Sequence, residues 1–204
     1  MNDKSTIIVD NVSKMFLEYG IRGVTMDDIA QRLSISKKTL YTYFEDKKEL
    51  VKAVVKIINC EIDKDFSSLD KDKFTAIEEL FHFHEVHIRM IQTNNPAFIY
   101  DLKKYYPDLF SNFEKFKHEM IYNKFVSNLN RGIMEGLYRK DLDVDLITKI
   151  NIIRLESMMD THLFSPEEFM SANLCSELFK YIIYGITSDE GRKIVHKKFK
   201  IDKN

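Results

Sequence analysis

Thr25, Ser36 and Asp46 each head a stretch whose apolar residues recur at helical spacing. Helix starts this close together leave room for two short helices, followed by a longer one. Asp28 lies three residues after Thr25, in the manner of a capping box with Asp where Glu or Gln is usual. Asp27 and Asp28 also suit the positive end of the helix dipole. The first short helix is predicted to end near Leu33. Ser36 opens the second, Lys37–Tyr43, and Asp46 with Glu49 opens a long helix toward Phe66. Ahead of them Ile8, Val12, Met15 and Phe16 share a helical face, and Gly20 stands where a left-handed stop belongs.

The rest of the chain is punctuated sparingly. Six glycines and three prolines in 204 residues imply long segments and few turns. No convincing strand is found, so the expected class is all-α, with about nine helices. The polar stretch Ser67–Lys73 is the expected boundary. It divides a domain over 1–50, whose fourth helix links on to about residue 67, from a second domain over 68–204. Phe74–Gln92 reads as one helix. Asn95-Pro96 caps and opens the next, and Pro107 starts a long one toward Arg131, punctuated by Gly132 and Gly136. Asp143 caps a helix from Val144 to about Leu163. Ser165-Pro166-Glu167-Glu168 carries several start signals for a helix to about Tyr184, with Gly185 as its stop. The basic end, Arg192 to Lys203, is expected to be solvated.

A net charge of −1 announces no nucleic-acid partner, so any such contact must come from a local patch. Over residues 1–50 eight Lys and Arg meet eight Asp and Glu. Cys60 and Cys175 lack CxxC partners and are expected to be reduced thiols. No signal peptide or membrane span is read, which makes the cytoplasm the expected location. Nucleophile-elbow, phosphate-loop and HExxH patterns are missing, so no enzyme and no cofactor are expected.

The two short helices around Ser34-Ile35-Ser36 have helix-turn-helix proportions. Ile29, Ala30, Leu33, Ile35, Leu40 and Phe44 form the apolar set. Leu40 and Phe44 share one face four residues apart. That leaves Lys37, Lys38, Thr39, Tyr41, Thr42 and Tyr43 outward, with the cations, hydroxyls and phenols that phosphates and base edges require. A solvated, idle surface is the alternative for either lysine alone. The basic patch, Lys37, Lys38, Lys47 and Lys48, is narrow, so few phosphates would set its salt dependence.

Gly20, Thr25-Met26-Asp27-Asp28-Ile29-Ala30 and Ser36-Lys37-Lys38-Thr39-Leu40-Tyr41-Thr42-Tyr43-Phe44-Glu45-Asp46-Lys47-Lys48-Glu49-Leu50 together resemble the signature of the TetR family of transcriptional regulators. The resemblance implies an amino-terminal three-helix DNA-binding domain and a helical ligand-binding and dimerisation domain. It assigns Thr25 and Lys47 to backbone phosphate, and Lys37, Lys38 and Thr39 to the major groove. Tyr41 and Tyr43 would meet phosphate or base edges, and Thr42 a base. Ser34 stands where Gly often makes the turn, and Tyr43 where His is frequent.

Beyond residue 73 the interior is rich in Phe and Met. Plain core packing is one reading. The resemblance implies instead a pocket for a small apolar molecule, with Phe81, His84, Ile88, Phe113, Phe116, Met120 and Met158 as its candidates. His82, His84 and His87 crowd one segment and His118 lies on another. A metal-responsive regulator would use such histidines, but the Cys/His spacing of a structural zinc site is lacking and no metal is expected. The resemblance also implies a homodimer, through Ile150, Ile153, Phe169, Leu178 and Ile182, on a palindromic operator in double-stranded DNA. The expected function is a repressor released by a ligand. A nucleoid or division factor of the same fold, without an inducer, is the alternative.

Overall fold

Each helix start anticipated between residues 25 and 50 is made by the side chain that heads it. In the computed structural model, which describes residues 3–70, 72–93, 96–157, 168 and 171–201, Thr25 Oγ1 accepts from Asp28 N at 3.1 Å. Asp28 Oδ2 accepts from Thr25 N at 2.7 Å, which completes the capping box. Ser36 Oγ accepts from Thr39 N at 3.0 Å, and Asp46 Oδ1 from Glu49 N at 2.8 Å. The reciprocal arm at Asp46 is shifted by one residue, since Glu49 reaches back to Glu45 N at 2.7 Å. Caps of this kind are worth about 1 kcal/mol each.

Among the described residues there are ten helices: α1 Asp3–Tyr19, α2 Met26–Arg32, α3 Lys37–Tyr43, α4 Lys47–Phe66, α5 Ala76–Thr93, α6 Pro96–Tyr105, α7 Pro107–Met134, α8 Val144–Ser157, α9 Ala172–Ile186 and α10 Asp189–Ile201. The fold is all-α; a lone antiparallel bridge joins Tyr138 and Thr187. The expected start at Ser165-Pro166 lies outside the described residues. The basic end departs from expectation. It is not a solvated tail but helix α10 from Asp189 on, because its apolar residues fall on one face. Val195 is fully buried, and the rings of Phe199 and Phe81 pack with centroids 5.2 Å apart.

The chain forms two compact units, residues 1–65 with 93–117, and residues 66–92 with 118–204. The expected single cut near 67 thus becomes three. Segment 93–117 falls with the first unit because α6 is bonded to the turn after α1. Asp101 Oδ2 accepts from Arg22 N at 2.7 Å, and the Arg22 guanidinium donates to the Tyr105 hydroxyl at 2.9 Å. Gly20 (φ +77) is required twice over there. Its backbone is left-handed, and a Cβ would stand 3.0 Å from Asp101 Oδ2 and 3.1 Å from Ala97 Cβ.

In the second unit Leu80, Phe81, Phe83, Leu129, Phe179, Ile183 and Val195 build the core. One polar knot is buried within it. Glu79 Oε2 accepts from Asn128 Nδ2 at 2.7 Å and from the Arg131 guanidinium at 2.8 Å. Asn128 also donates to Ala76 O at 2.8 Å, and the Tyr138 hydroxyl donates to that carbonyl at 3.1 Å. Burial, with Glu79 and Glu135 nearby, pushes the Tyr138 phenol well above its ordinary pKa, so it stays a neutral donor.

Candidate nucleic-acid interface and apolar cavity

The joint between α2 and α3 is a Schellman turn. Ser34 N donates to Gln31 O at 3.1 Å and Ile35 N to Ala30 O at 3.0 Å, with Ser34 left-handed at φ 53. A residue with a Cβ costs roughly 1 kcal/mol in that conformation. This is the backbone cost of a Ser where Gly often makes the turn. Ile29, Ala30, Leu40 and Phe44 are buried, as their spacing predicts, while Leu33 and Ile35 are only partly covered.

Leu40 facing inward turns the rest of α3 outward. Lys37, Lys38, Thr39, Tyr41 and Thr42 are exposed, as is Thr25 at the start of α2, and Tyr43 is half-buried. The two threonine hydroxyls are already oriented. Thr42 Oγ1 donates to Thr39 O at 2.6 Å, and Thr39 Oγ1 lies 2.7 Å from Ser36 Oγ. Both retain lone pairs for an incoming donor.

Two cations are placed differently from what spacing alone conveys. Lys37 Nζ pairs with Asp27 Oδ1 at 2.8 Å, and this hydrogen bond raises its pKa. Lys47 turns inward: its ammonium donates to Ile21 O at 2.6 Å and also to Val24 O, and burial lowers its pKa. It ties the loop after α1 to the start of α4, with one N–H left over. Neither contact has a signal in the sequence. Asp27 and Lys37 are not helical neighbours, and nothing distinguishes Lys47 from Lys48, which stays exposed.

In the second unit a cavity of about 60 Å³ lies among Phe66, Phe83, Phe125 and Phe179, with His84, His87, Asn151 and Arg154 at its polar side. Of the expected pocket residues that the structure describes, only His84 lines it. Phe81 is buried in the core beside Phe179 and Phe199. Ile88 and Met120 belong to the second unit but are not among the lining residues, and Phe113 and Phe116 belong to the first unit. Met158 lies outside the described residues. Phenylalanine content does not separate core from wall. The polar residues can be found by asking which charges sit among apolar helix positions, as Arg154 does within Ile152-Ile153-Arg154-Leu155.

His82 and His84 take different partners. His84 stacks on Phe179 with centroids 4.1 Å apart, and His82 Nε2 lies 3.0 Å from Ser68 Oγ. Among the described residues no group of three or more His, Cys, Asp or Glu is arranged to hold a metal ion. Burial pushes the His84 pKa down to about 4, with like charge from His87 and Arg154 adding to it. A free histidine takes its proton near 6.5, so between 6.5 and about 4 the unfolded chain binds a proton that the fold refuses. Stability contributed here is complete above 6.5 and falls as the pH drops toward 4. Denaturant titrations across that range are expected to show a shallower slope for His84→Phe; an unchanged slope would place the proton elsewhere.

Of the expected dimer residues, Ile150 and Ile153 are 50% and 60% exposed, and with Leu146 at 52% they make one apolar stripe along α8. Leu178 is half-buried. Ile182 faces the cavity, and Phe169 lies outside the described residues. No described helix is long and apolar enough to cross a membrane.

Two short helices at a left-handed turn, the second with an outward polar face over a buried Leu40, define a helix-turn-helix DNA-binding regulator. Residues 8–54 match the family model described as bacterial regulatory proteins, tetR family. That segment is a TetR-type amino-terminal domain. It is 25% identical over 207 residues to the HTH-type transcriptional repressor KstR2 of Mycobacterium tuberculosis, covering 94% of this chain and 96% of that one. It is 36% identical over 104 residues to IcaR of Staphylococcus aureus, the negative transcriptional regulator of the biofilm operon icaADBC. That match covers 47% of this chain and 54% of IcaR, so the chain spans about half the length of this second relative. The KstR2 structure aligns with a TM-score of 0.56 at 22% identity, over 93% of this chain and 97% of the other. A TetR transcriptional regulator from Chloroflexus aurantiacus aligns with a TM-score of 0.70 at 16% identity, over 91% and 96%. The protein is a DNA-binding transcriptional regulator, not an enzyme.

Proposed function

We propose that the protein is a cytoplasmic repressor that binds a palindromic operator as a homodimer and leaves it when a small apolar molecule enters the second unit. The observation that carries the DNA-reading part is the exposed row Lys37, Lys38, Thr39, Tyr41 and Thr42 over a buried Leu40. Lys38 approaches phosphate or a base edge directly. Lys37 exchanges Asp27 for phosphate, and the exposed Asp27 tempers non-specific attraction. Thr25 meets the backbone at the start of α2. Tyr43, half-buried, takes a position at the groove edge. Lys47 acts chiefly by holding the loop before α2, with its third N–H available to phosphate.

The second unit serves as the ligand and dimer domain. A two-fold dimer sets two recognition helices one DNA turn apart, which matches a palindrome. The ligand releases DNA only if it binds better to a conformer with the wrong spacing. The test is an anisotropy titration of operator DNA with and without a molecule shown by calorimetry to occupy the protein. Operator affinity that ignores such a molecule rules out induction. Genome-wide binding at many dispersed sites, in place of one or a few promoters, points to the nucleoid-factor alternative.

Lys37→Ala combined with Lys38→Ala is expected to weaken operator binding and to reduce the slope of log K against log salt by about 1–2. Titrations at several KCl concentrations read that slope. An unchanged slope places neither lysine at a phosphate.

A further inference from the structure

The cavity of the second unit contains a cation with no counter-charge among the described residues. Arg154 is largely buried, and it donates to the neutral Asn151 Oδ1, which lies 2.9 Å from one guanidinium nitrogen and 3.3 Å from Nε. Among the described residues no carboxylate pairs with it. Burial lowers its pKa to about 10, which leaves the guanidinium charged at neutral pH. His84 beside it is neutral there and supplies no negative charge. A buried cation is normally paired, and none of the described residues supplies the counter-ion.

A second, independent feature lies in the same wall. Asn151 is 1% exposed, its Oδ1 is taken by Arg154, and its Nδ2 has no hydrogen-bond partner. Buried amide donors are almost always satisfied. An unused donor and an unpaired cation, one helical turn apart on α8, define one polar end. Phe66, Phe83, Phe125 and Phe179 define an apolar remainder.

We propose that this cavity takes an apolar monocarboxylate, whose carboxylate pairs with Arg154 and accepts from Asn151 Nδ2 and whose hydrocarbon part lies against the phenylalanines. A single cation in an apolar wall neutralises one negative charge. A phosphate dianion would leave charge buried, and a neutral apolar molecule would leave Arg154 unpaired. At about 60 Å³ the cavity favours a short chain over a ring or a larger ligand, since a cavity that holds one benzene ring measures roughly 150 Å³. The proposal rests on the ligand-responsive reading above and names the chemistry of its ligand.

The test is calorimetry on the full-length protein, without DNA, at pH 7. The probes are propanoate, butanoate and hexanoate, each paired with its primary amide. At least one acid is expected to bind with a Kd below about 1 mM, and its amide roughly ten to a hundredfold more weakly, the worth of one charge-assisted pair. Arg154→Gln is expected to bring the acid down to the level of the amide, while Arg154→Lys keeps a clear preference for the acid. Circular dichroism checks both variants. If Arg154→Gln does not fold, the acid-to-amide ratio on the native protein and on Arg154→Lys decides. Equal binding of acid and amide, no acid binding below about 1 mM, or full acid binding by a folded Arg154→Gln overturns the proposal. An acid that binds yet leaves operator affinity unchanged sinks induction and not this site. A neutral molecule that releases DNA, with no acid bound, does the reverse.

Discussion

Glu79→Ala is expected to lower the unfolding free energy by about 3–5 kcal/mol, the cost of breaking a buried ion pair from one side. Glu79 is nearly fully buried and holds Arg131 and Asn128 on one carboxylate oxygen. Without it Arg131 keeps only the longer contact to Glu135, at 3.7 Å, and this together with its partial exposure moderates the loss toward the lower figure. Asn128 Nδ2 would keep the Ala76 carbonyl, so the damage concentrates on the charge. Urea unfolding with an unchanged m-value measures the effect. A loss under about 1 kcal/mol would mean that water replaces the carboxylate, and that the knot contributes little to stability.

Ile150→Asp with Ile153→Asp is expected to leave the fold intact and to abolish the proposed dimer. Both side chains are at least half exposed, so charge there costs the isolated chain only a few tenths of a kcal/mol. Placed at the centre of a two-fold interface, the same four carboxylates would face one another without water, which costs several kcal/mol. Operator affinity is then expected to fall about a hundredfold or more, because a monomer reads one half-site where the dimer reads two. Sedimentation at micromolar concentration and anisotropy on operator DNA check the two halves of this outcome. A variant that still sediments as a dimer would place the interface on another surface.

Legibility in the sequence follows the range of the interactions. The caps at Thr25, Ser36 and Asp46 act over three or four residues, and the turn at Ser34 over five, so the order of the residues alone lays out the helix-turn-helix. Helical spacing likewise predicts that Leu40 and Phe44 are covered and that Lys38 and Tyr41 are not. Contacts between residues far apart carry no such mark. The bond from Arg22 N to Asp101 spans 79 residues, and the one from Lys47 to Ile21 spans 26. The second unit is least legible because its helices share a richness in Phe, Ile and Leu. Composition implies that an interior exists but not which phenylalanine faces free space. Phe113 and Phe116, expected in the pocket, fall with the other unit for that reason. The basic end misleads because its charges outnumber Ile194, Val195 and Phe199, which pack it against the core.

The clasp between α6 and the turn after α1 has a consequence for how this chain can be divided. The first unit is discontinuous, with residues 93–117 supplied from the far side of an intervening helix. A fragment ending at Asp65 would strip Arg22 N of its acceptor and the guanidinium of its phenol, and would leave Gly20 facing no neighbour. The reading head is therefore not a detachable module. Whatever reaches α6 along its own backbone, from α5 on one side or α7 on the other, acts on residues that belong to the DNA-binding unit itself.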